Sequence, residues 1–340
     1  MNRLITLILL VGAWIIFQSS EKEATVLDKD QSLYEALYQL GYKSVDHSPD
    51  LSIAGASAQV GEDLVKFGFS DIEGQLKSKR QSKHFVCTSC HNIEREDPDV
   101  SVSDPEARLE YVVKKGLPFL QATTLYGAVN RTDFYNDDYI KKYGDLIQSA
   151  KHDIRAAIEL CAVECAQGRE LHDWEVESIL AYLWELQFTL GDLNLDENEA
   201  MIIQKALNGD KMEMQAIQIL ESKYLKHSPA HFVDPRPRDK HSEAPNTGDV
   251  QNGKLVYDVS CKHCHLNNRY SYLNLDDSSL TFKWLSNKAE TYSRYSIFQI
   301  IRYGTHAKHG KKSYMPRYPI EKMSDQQLED LKAYLDLMAE

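Results

Sequence analysis

Two copies of a Cys-x-x-Cys-His motif are the residues of this chain best suited to do chemistry. They are Cys87-Thr88-Ser89-Cys90-His91 and Cys261-Lys262-His263-Cys264-His265. Two thiols three positions apart can form thioethers with the two vinyl groups of a haem, and the adjacent imidazole then binds the iron as the proximal ligand. The sequence therefore predicts two covalently bound haem c groups, attached at Cys87, Cys90, Cys261 and Cys264, with His91 and His265 as proximal iron ligands.

Zinc is the competing interpretation of these motifs. A structural zinc site needs a second pair of ligands close to the first. Here the two cysteine pairs lie 174 positions apart, and a His directly follows each pair. The pattern therefore favours haem over zinc.

The N-terminus predicts export from the cytoplasm. A short basic start at Met1-Asn2-Arg3 precedes an apolar run from Leu4 to Phe17. A helix of this length spans about 21 Å, less than the hydrocarbon layer of about 30 Å. Residues 1–20 are expected to be either a cleaved signal peptide or a retained N-terminal membrane anchor. The chain is therefore expected in the periplasm, attached to the inner membrane if the anchor is retained. An oxidising compartment fits the use of four cysteines for haem attachment.

The charge of the chain restricts its partners. The formal net charge is -12, and haem propionates would add to it. Nucleic acid is therefore excluded as an expected partner. The predicted partners are redox proteins: a small carrier, an oxidase or a respiratory complex.

The pattern along the chain divides it into five segments. The N-terminal segment 1–20 is followed by a tether over 21–57, in which residues 32–40 are expected to be helical. A first haem domain is predicted over 58–190 and a second over 248–340. The residues between them, 191–247, are expected to form one or two helices and a proline-containing linker, since four prolines occur between Ser228 and Asn246 without apolar periodicity.

Both domains end in a similar amphipathic helix. Apolar residues are spaced i, i+3 and i+7 in each, and each helix contains Ala-Tyr-Leu, at 181–183 and 333–335, an offset of 152 positions. The expected core positions of these helices are Val176, Ile179 and Leu183 in the first and Leu328, Leu331 and Leu335 in the second.

These features resemble class I cytochrome c domains. In the second domain, Gly248, Gly253 and Tyr257 precede Cys261 as in the family's opening helix, and Tyr314-Met315-Pro316 follows His265 by 50 residues, as the distal methionine loop does. The first domain departs from the pattern, because it is 22 residues longer after its motif and residues 67–85 lack the Gly-x-x-x-x-Gly spacing of Gly248 and Gly253. The resemblance implies a mainly α fold with two cytochrome c-like helical haem domains in tandem.

Met315 is the predicted sixth ligand of the second iron. Its thioether is a soft, neutral ligand that favours the ferrous state and raises the reduction potential. Met323, His306 and His309 are the alternatives.

The first domain contains no methionine for this role, because none occurs between Met1 and Met201. Cys161 and Cys165 share one face of a predicted helix with Ile154 and Ile158. Three alternatives remain open: a thiolate of this pair binds the iron, the pair forms a disulfide, or a histidine, His152 or His172, is the ligand.

The segment from Ile158 through Cys161 and Gly168 to Leu171 is similar to the ligand-cysteine segment of diheme thiosulfate dehydrogenases and of the haem subunit of the sulfur-oxidising complex. This resemblance implies that Cys161 binds the iron and that Cys165 lies beside it. The Arg-Ser pair of those proteins is replaced here by Glu164 and Cys165.

Two functions follow from these predictions. With both irons six-coordinate, the chain is expected to transfer electrons in a periplasmic respiratory chain. The alternative is a thiosulfate dehydrogenase-like oxidoreductase that oxidises a reduced sulfur compound at a His/Cys-ligated haem, so whether the chain is an enzyme stays open. The signatures of diheme peroxidases are not found.

Overall fold

The computed structural model describes residues 26–43, 47–235, 247–289, 296–305 and 314–340. In these ranges the regular structure is helical, with one isolated bridge between Ser32 and Thr189 and no strand. The predicted mainly α fold is confirmed. The apolar N-terminal segment, His306 and His309 lie outside the described residues.

The α-helices of these ranges are, in chain order, α1 (Leu33–Gln39), α2 (Ala58–Phe67), α3 (Pro105–Lys115), α4 (Ile140–Tyr143), α5 (Ile154–Leu160), α6 (Asp173–Glu185), α7 (Glu197–Leu207), α8 (Glu213–Ser222), α9 (Val250–Val256), α10 (Lys262–His265), α11 (Ser279–Ala289), α12 (Ile297–Tyr303) and α13 (Asp325–Ala339). Two π-turns cover Cys161–Cys165 and Tyr257–Cys261. Short 3-10 turns cover Cys87–Ser89, Ala128–Asn130, Asp137–Tyr139, Gly144–Ile147, Leu190–Asp192 and Leu266–Asn268. Within the described part of the chain, no helix has the length and apolar character needed to cross a bilayer.

In the first half, α2 and α6 cross at a glycine. The side chain of Ser57 accepts a hydrogen bond from the backbone N–H of Val60 and caps α2, and Gly68, with a φ of 74°, ends it. A Cβ atom on Gly61 would lie 1.8 Å from the carbonyl oxygen of Ser178. Because only glycine permits this approach, the closing helix packs directly across the opening helix.

In the second half, α9 and α13 repeat this crossing. A Cβ atom on Gly253 would lie 1.9 Å from the carbonyl oxygen of Asp330. Helix α13 begins at Asp325, after Ser324, whose side chain accepts a hydrogen bond from the backbone N–H of Gln327. Ser178 and Asp330 are 152 positions apart, the same offset as the two Ala-Tyr-Leu sequences. The two halves therefore contain the same pair of crossed helices.

The apolar stripes predicted for the closing helices are buried. Each fully buried Val, Leu or Ile side chain contributes about 1.5–3 kcal/mol to the free energy of unfolding. The predicted residues that are less than 7% exposed are Val176, Ile179, Leu183, Leu328, Leu331 and Leu335. These positions thus hold the crossed helices together.

A separate apolar cluster joins the start of the described chain to the segment between the halves. Helix α1 packs against α8, and Leu33, Leu37, Leu190 and Leu220 are buried together. The backbone N–H of Leu33 donates to the carbonyl oxygen of Phe188 over 2.8 Å. The described part of the 21–57 segment therefore packs on the folded body, and its helix lies within the predicted residues 32–40.

Helix α3, from the first half, completes the core of the second half. Leu109, Val112 and Phe119 are fully buried in the cluster that contains Val256 and Leu331. The N–H of Phe119 also donates to the carbonyl oxygen of Val259 over 2.9 Å. Both halves thus contribute to this shared core, while the first half has a second apolar core that contains Val60 and Ile179.

A buried ionic cluster lies beside α3. The carboxylate of Glu96 is 2.7 Å from the Lys322 amine and 3.2 Å from the Arg108 guanidinium, and all three side chains are at most 6% exposed. Burial raises the pKa of Glu96, but the two cations outweigh that effect and hold the pKa well below its ordinary value. Since these charges have little access to water, the second half is fixed to the first by a fully desolvated contact.

Candidate haem sites

The first Cys-x-x-Cys-His motif folds as a tight turn that directs its cysteines and histidine towards one cavity. The backbone N–H groups of Cys90 and His91 both donate to the carbonyl oxygen of Cys87, over 3.1 and 3.0 Å. The ring Nδ1 of His91 donates to the carbonyl oxygen of Thr123 over 2.6 Å. This bond leaves Nε2 as the atom available to a metal, and burial lowers the pKa of His91, which favours the neutral form that binds metals.

The cavity beside His91 is lined mainly by apolar side chains from α2, α5 and α6. Its free volume is about 200 Å³. Cys87, Cys90 and His91 form one wall, and Cys161 and Cys165 belong to the same lining. Its apolar lining residues include Val65, Phe134, Ile154, Ile158, Ile179 and Leu183.

The cysteine pair lies where α5 changes into a π-turn. The N–H of Ala166 donates to the carbonyl oxygen of Cys161 over 2.8 Å, a bond between residues five apart. The hydroxyl of Tyr143 is 2.9 Å from the Sγ of Cys165, and Tyr135 hydrogen-bonds to the same sulfur. Hydrogen bonding from Cys161 and the tyrosines lowers the pKa of Cys165, whereas the same contact and burial raise that of Cys161. All six cysteines are free thiols in the structure.

The two histidine alternatives do not line this cavity. His152 precedes the Asp153 cap of α5, and its 75% exposed side chain pairs with Asp133. His172 is the N-cap residue of α6, and its ring stacks on Trp174. Among the candidate sixth ligands of the first site, the two cysteines therefore line the cavity of His91 and the two histidines do not.

Three arginines of the first half differ in whether they line the first cavity. Arg155 and Arg169 pair with Glu177 and Glu175, over 2.5 and 2.6 Å, and neither lines the cavity. Arg131 does line it, and its buried Nε atom has no hydrogen-bond partner among the described residues. A haem propionate would satisfy such a donor.

These residues fit haem c. Two thiols and an imidazole line the cavity, soft sulfur atoms are available as further ligands, and the unsatisfied Nε–H of Arg131 matches an anionic substituent. Cys87, Cys90 and His91 would hold the group, and Lys142, which also lines the cavity, would add positive charge.

The second motif closes a π-turn and enters α10. Cys261, Cys264 and His265 line a cavity of about 980 Å³, at the upper end of the range for ligand pockets. The Nδ1 of His265 donates to the carbonyl oxygen of Leu273 over 3.1 Å, and burial lowers the pKa of His265. The arrangement repeats that of His91, so the donor set again fits haem c.

Met315 lines the second cavity together with His265. Its backbone N–H donates to the hydroxyl oxygen of Thr305 over 2.7 Å, and its carbonyl oxygen accepts from the N–H of Thr305 over 2.9 Å. Gly304, with a φ of 66°, permits this pairing, because a Cβ atom there would lie 2.5 Å from the carbonyl oxygen of Met315. Met323 also reaches the cavity but is 1% exposed and packed in the shared core.

The two cavities share a wall. Their common lining residues are Phe85, Cys90, Gln121, Tyr314, Pro316 and Arg317. Burial raises the pKa of the Cys90 thiol to about 12, and the nearby thiols of Cys264 and Cys165 contribute to the rise. The Cys90 thiol is thus within electrostatic reach of thiols from both sites.

Sequence reasoning missed Gly61, although a signal for it exists. Ser57 caps α2 four residues before Gly61, just as Asp249 caps α9 four residues before Gly253. The equivalence of Gly61 and Gly253 is hard to recognise in the sequence, because Cys87 follows Gly61 by 26 residues, whereas Cys261 follows Gly253 by only 8. The longer first connection forms a loop between the helix and the motif.

Residues 248–335 match the protein family described as cytochrome c oxidase, cbb3-type, subunit III. Neither the curated proteins nor the solved structures include a significant match to the chain. The matched stretch contains the second Cys-x-x-Cys-His motif and ends within α13. The chain therefore contains a cytochrome c domain, whose covalently bound haem c serves electron transfer.

Proposed function

We propose that this chain is an exported diheme cytochrome c that transfers electrons in a periplasmic respiratory chain. The support for a second haem is the crossing of α2 and α6, which repeats the crossing of α9 and α13 within the matched cytochrome c domain. The first half supplies its own Cys-x-x-Cys-His motif against that repeated pair of helices. Four thioethers, at Cys87, Cys90, Cys261 and Cys264, would fix the two groups.

The shared cavity wall is the observation that carries the proposal. Phe85 and Cys90 each line both cavities, so the wall between the two sites is about one side chain thick at these residues. Two haems attached there would lie close enough for direct electron exchange, and the haem group supplies the one-electron chemistry. The residues of this chain would hold the groups in place.

The ligand sets support a difference in potential between the two sites. A thiolate at Cys161 would stabilise the ferric state of the first haem, while the thioether of Met315 would stabilise the ferrous state of the second. Electrons would then enter at the first site and leave from the second to a small carrier protein, an oxidase or another respiratory complex. Such exchanges use weak contacts of small area.

Haem stoichiometry tests the proposal. Intact mass of the mature chain is expected to show two haem increments, and haem staining after denaturing electrophoresis is expected to be positive. The matched variants Cys87→Ser/Cys90→Ser and Cys261→Ser/Cys264→Ser should each lose one increment. If the first pair of substitutions leaves the mass increment unchanged, the first half carries no haem.

Export is tested separately by fractionation of the cells that produce the protein. The haem-containing chain is expected in the periplasmic or inner-membrane fraction, and its N-terminal sequence shows whether residues 1–20 are removed. A haem-free chain in the cytoplasm would contradict the proposal.

A thiosulfate dehydrogenase-like activity is the second candidate. It is favoured by Cys161 in the first cavity and by Arg131 and Lys142 in the lining, since these cations suit a small dianion. Thiosulfate should then reduce the ferric protein, with Arg131→Gln slowing the reaction and exposed Arg80→Gln as the control. If the spectrum stays ferric in the presence of thiosulfate, the electron-transfer function stands alone.

A further inference from the structure

Two cysteines remain when the haem-attachment thiols are accounted for, and they lie together. Cys161 and Cys165 both line the first cavity, and both have free thiols. They are the first and last residues of the π-turn Cys161–Cys165, so both enter the cavity from one element. A single thiolate would be enough to bind an iron, so the second sulfur is not explained by ligation.

The spacing of this pair is compatible with the separation of Cα atoms in a disulfide. Residues four apart in a helix rise by about 6 Å, which lies inside the range of about 4.4–6.8 Å between the Cα atoms of disulfide-bonded cysteines. The bond from Ala166 to Cys161 spans five residues, so this turn holds more residues than an α-helical turn. In such a wider turn, the side chains of residues four apart lie more nearly above one another along the helix axis.

The surroundings hold one partner of the pair in place. Tyr143 contacts the Cys165 sulfur over 2.9 Å, and Tyr314 donates to the Cys165 carbonyl oxygen over 2.8 Å. No comparable hydrogen bond from outside the pair restrains the Cys161 sulfur among the described residues. Cys161 is therefore the sulfur that can change partners between the iron and Cys165.

We propose that Cys161 and Cys165 form a third redox centre, a dithiol that becomes a disulfide as it reduces the two haems; this inference rests on the proposed diheme function. Cys161 would leave the ferric iron as its thiolate and Cys165 would lose its proton, one S–S bond would form, and the two electrons released would be taken up by the two haem c groups, one by each. The two ferric irons are the oxidant, so atoms and electrons balance. The disulfide withdraws Cys161 as an iron ligand, and reduction returns it.

Thiol counting tests this centre independently of any activity. The four attachment cysteines of the holoprotein are blocked as thioethers, so after denaturation only Cys161 and Cys165 can react with a maleimide. We expect two labelled cysteines in anaerobic protein reduced with dithiothreitol and none in protein oxidised with ferricyanide. Two labels after oxidation would overturn the proposal, as would no label in either state, which would indicate a permanent disulfide or irreversible oxidation.

Electron counting supplies a second measurement. Reduced anaerobic holoprotein, freed of dithiothreitol, should release two more electron equivalents to ferricyanide than either Cys161→Ser or Cys165→Ser. Equal counts for the wild type and both variants would overturn the proposal. Failure of the diheme function is recognised differently, because haem increments would be missing and attachment cysteines such as Cys87 would become labelled.

Discussion

The hydroxyl of Tyr314 donates a hydrogen bond to the carbonyl oxygen of Cys165 over 2.8 Å. Tyr314 directly precedes Met315, so one dipeptide connects the candidate ligand of the second iron to the cysteine pair of the first site. The Tyr314 ring also packs edge-on against Phe85, at a centroid distance of 5.6 Å, in the wall between the cavities. The two ligand sets are thus mechanically connected.

Tyr314→Phe should remove this connection and keep the ring. We expect the free energy of unfolding to fall by about 1 kcal/mol, the usual net value of one hydrogen bond. The electron paramagnetic resonance signal of the first haem should shift, while absorption from the Met-ligated iron stays. Tyr38→Phe, on an exposed side chain, is the control; equal behaviour of the two variants would show that the hydrogen bond has no role.

Gly61→Ala should be strongly destabilising, although alanine normally improves a helix by up to about 1 kcal/mol over glycine. The added Cβ atom would overlap the Ser178 carbonyl group and force the crossed helices apart. We expect a loss of about 3 kcal/mol in chemical denaturation. Gln59→Ala, on the exposed face of α2, should change stability by less than about 0.5 kcal/mol. A stable Gly61→Ala protein would contradict the close approach.

Met315→Ala should abolish the weak long-wavelength absorption of a methionine-ligated ferric haem. Met323→Ala removes the other thioether that reaches the second cavity and should keep the band while lowering stability by about 2–5 kcal/mol, because its side chain is buried. The absorption spectrum of the ferric protein distinguishes the two. Loss of the band in the second variant alone would make Met323 the ligand.

Glu96→Gln should destabilise the contact between the halves. The substitution leaves the buried cations of Arg108 and Lys322 without their counter-charge, a change that typically costs about 3–5 kcal/mol. Glu94→Gln, on a neighbouring exposed side chain, is the control. The unfolding midpoint in denaturant is the measurement, and similar midpoints for both variants would show that the cluster contributes little.

A pH-dependent contribution is expected from His231 and Glu321. Hydrogen bonding to Glu321 raises the pKa of His231 above its ordinary value. The pair therefore stabilises the protein fully below the unfolded-state pKa of about 6.5, and this contribution is lost as the pH rises through the folded-state pKa. Because the His231 side chain is 62% exposed, the effect should be at most about 0.5 kcal/mol.

A double-mutant cycle with His231→Gln and Glu321→Gln measures this contribution. The coupling free energy should be present at about pH 5.5 and nearly absent at about pH 9. A coupling that is the same at both values would show that the protonated imidazole is not its source.

The sequence predicted those parts of the fold that depend on local pattern. The closing helices start at Asp173 and Asp325. Their apolar spacing and their acidic first turns are each contained in one continuous stretch of sequence, so these helices can be predicted without knowledge of distant contacts. The role of Gly61 was not predicted, because it depends on a contact with Ser178, which is far away in the sequence. In addition, the number of residues between Gly61 and Cys87 differs from the number between Gly253 and Cys261. The family resemblance predicted the spacing of the glycines before Cys261, whereas the contact between Gly61 and Ser178 is visible only in the structure.

The relation between the two sites could not be predicted from spacing. It arises because Phe119 and the rest of the segment after α3 pack into the other half, which brings Cys90 to the second cavity. Such contacts depend on the complementarity of two folded surfaces. The ligand assignments for Cys161 and Met315 stay predictions that the variants above can test.

The burial of Leu109, Val112 and Phe119 in the other half's core also bears on how such a protein could change through evolution. Residues 248–335 match a family on their own, yet here they depend on three apolar side chains encoded well upstream. Transfer of the matched stretch alone to another gene would expose the surface those side chains cover. In this chain the matched stretch alone therefore lacks part of the apolar core that stabilises it.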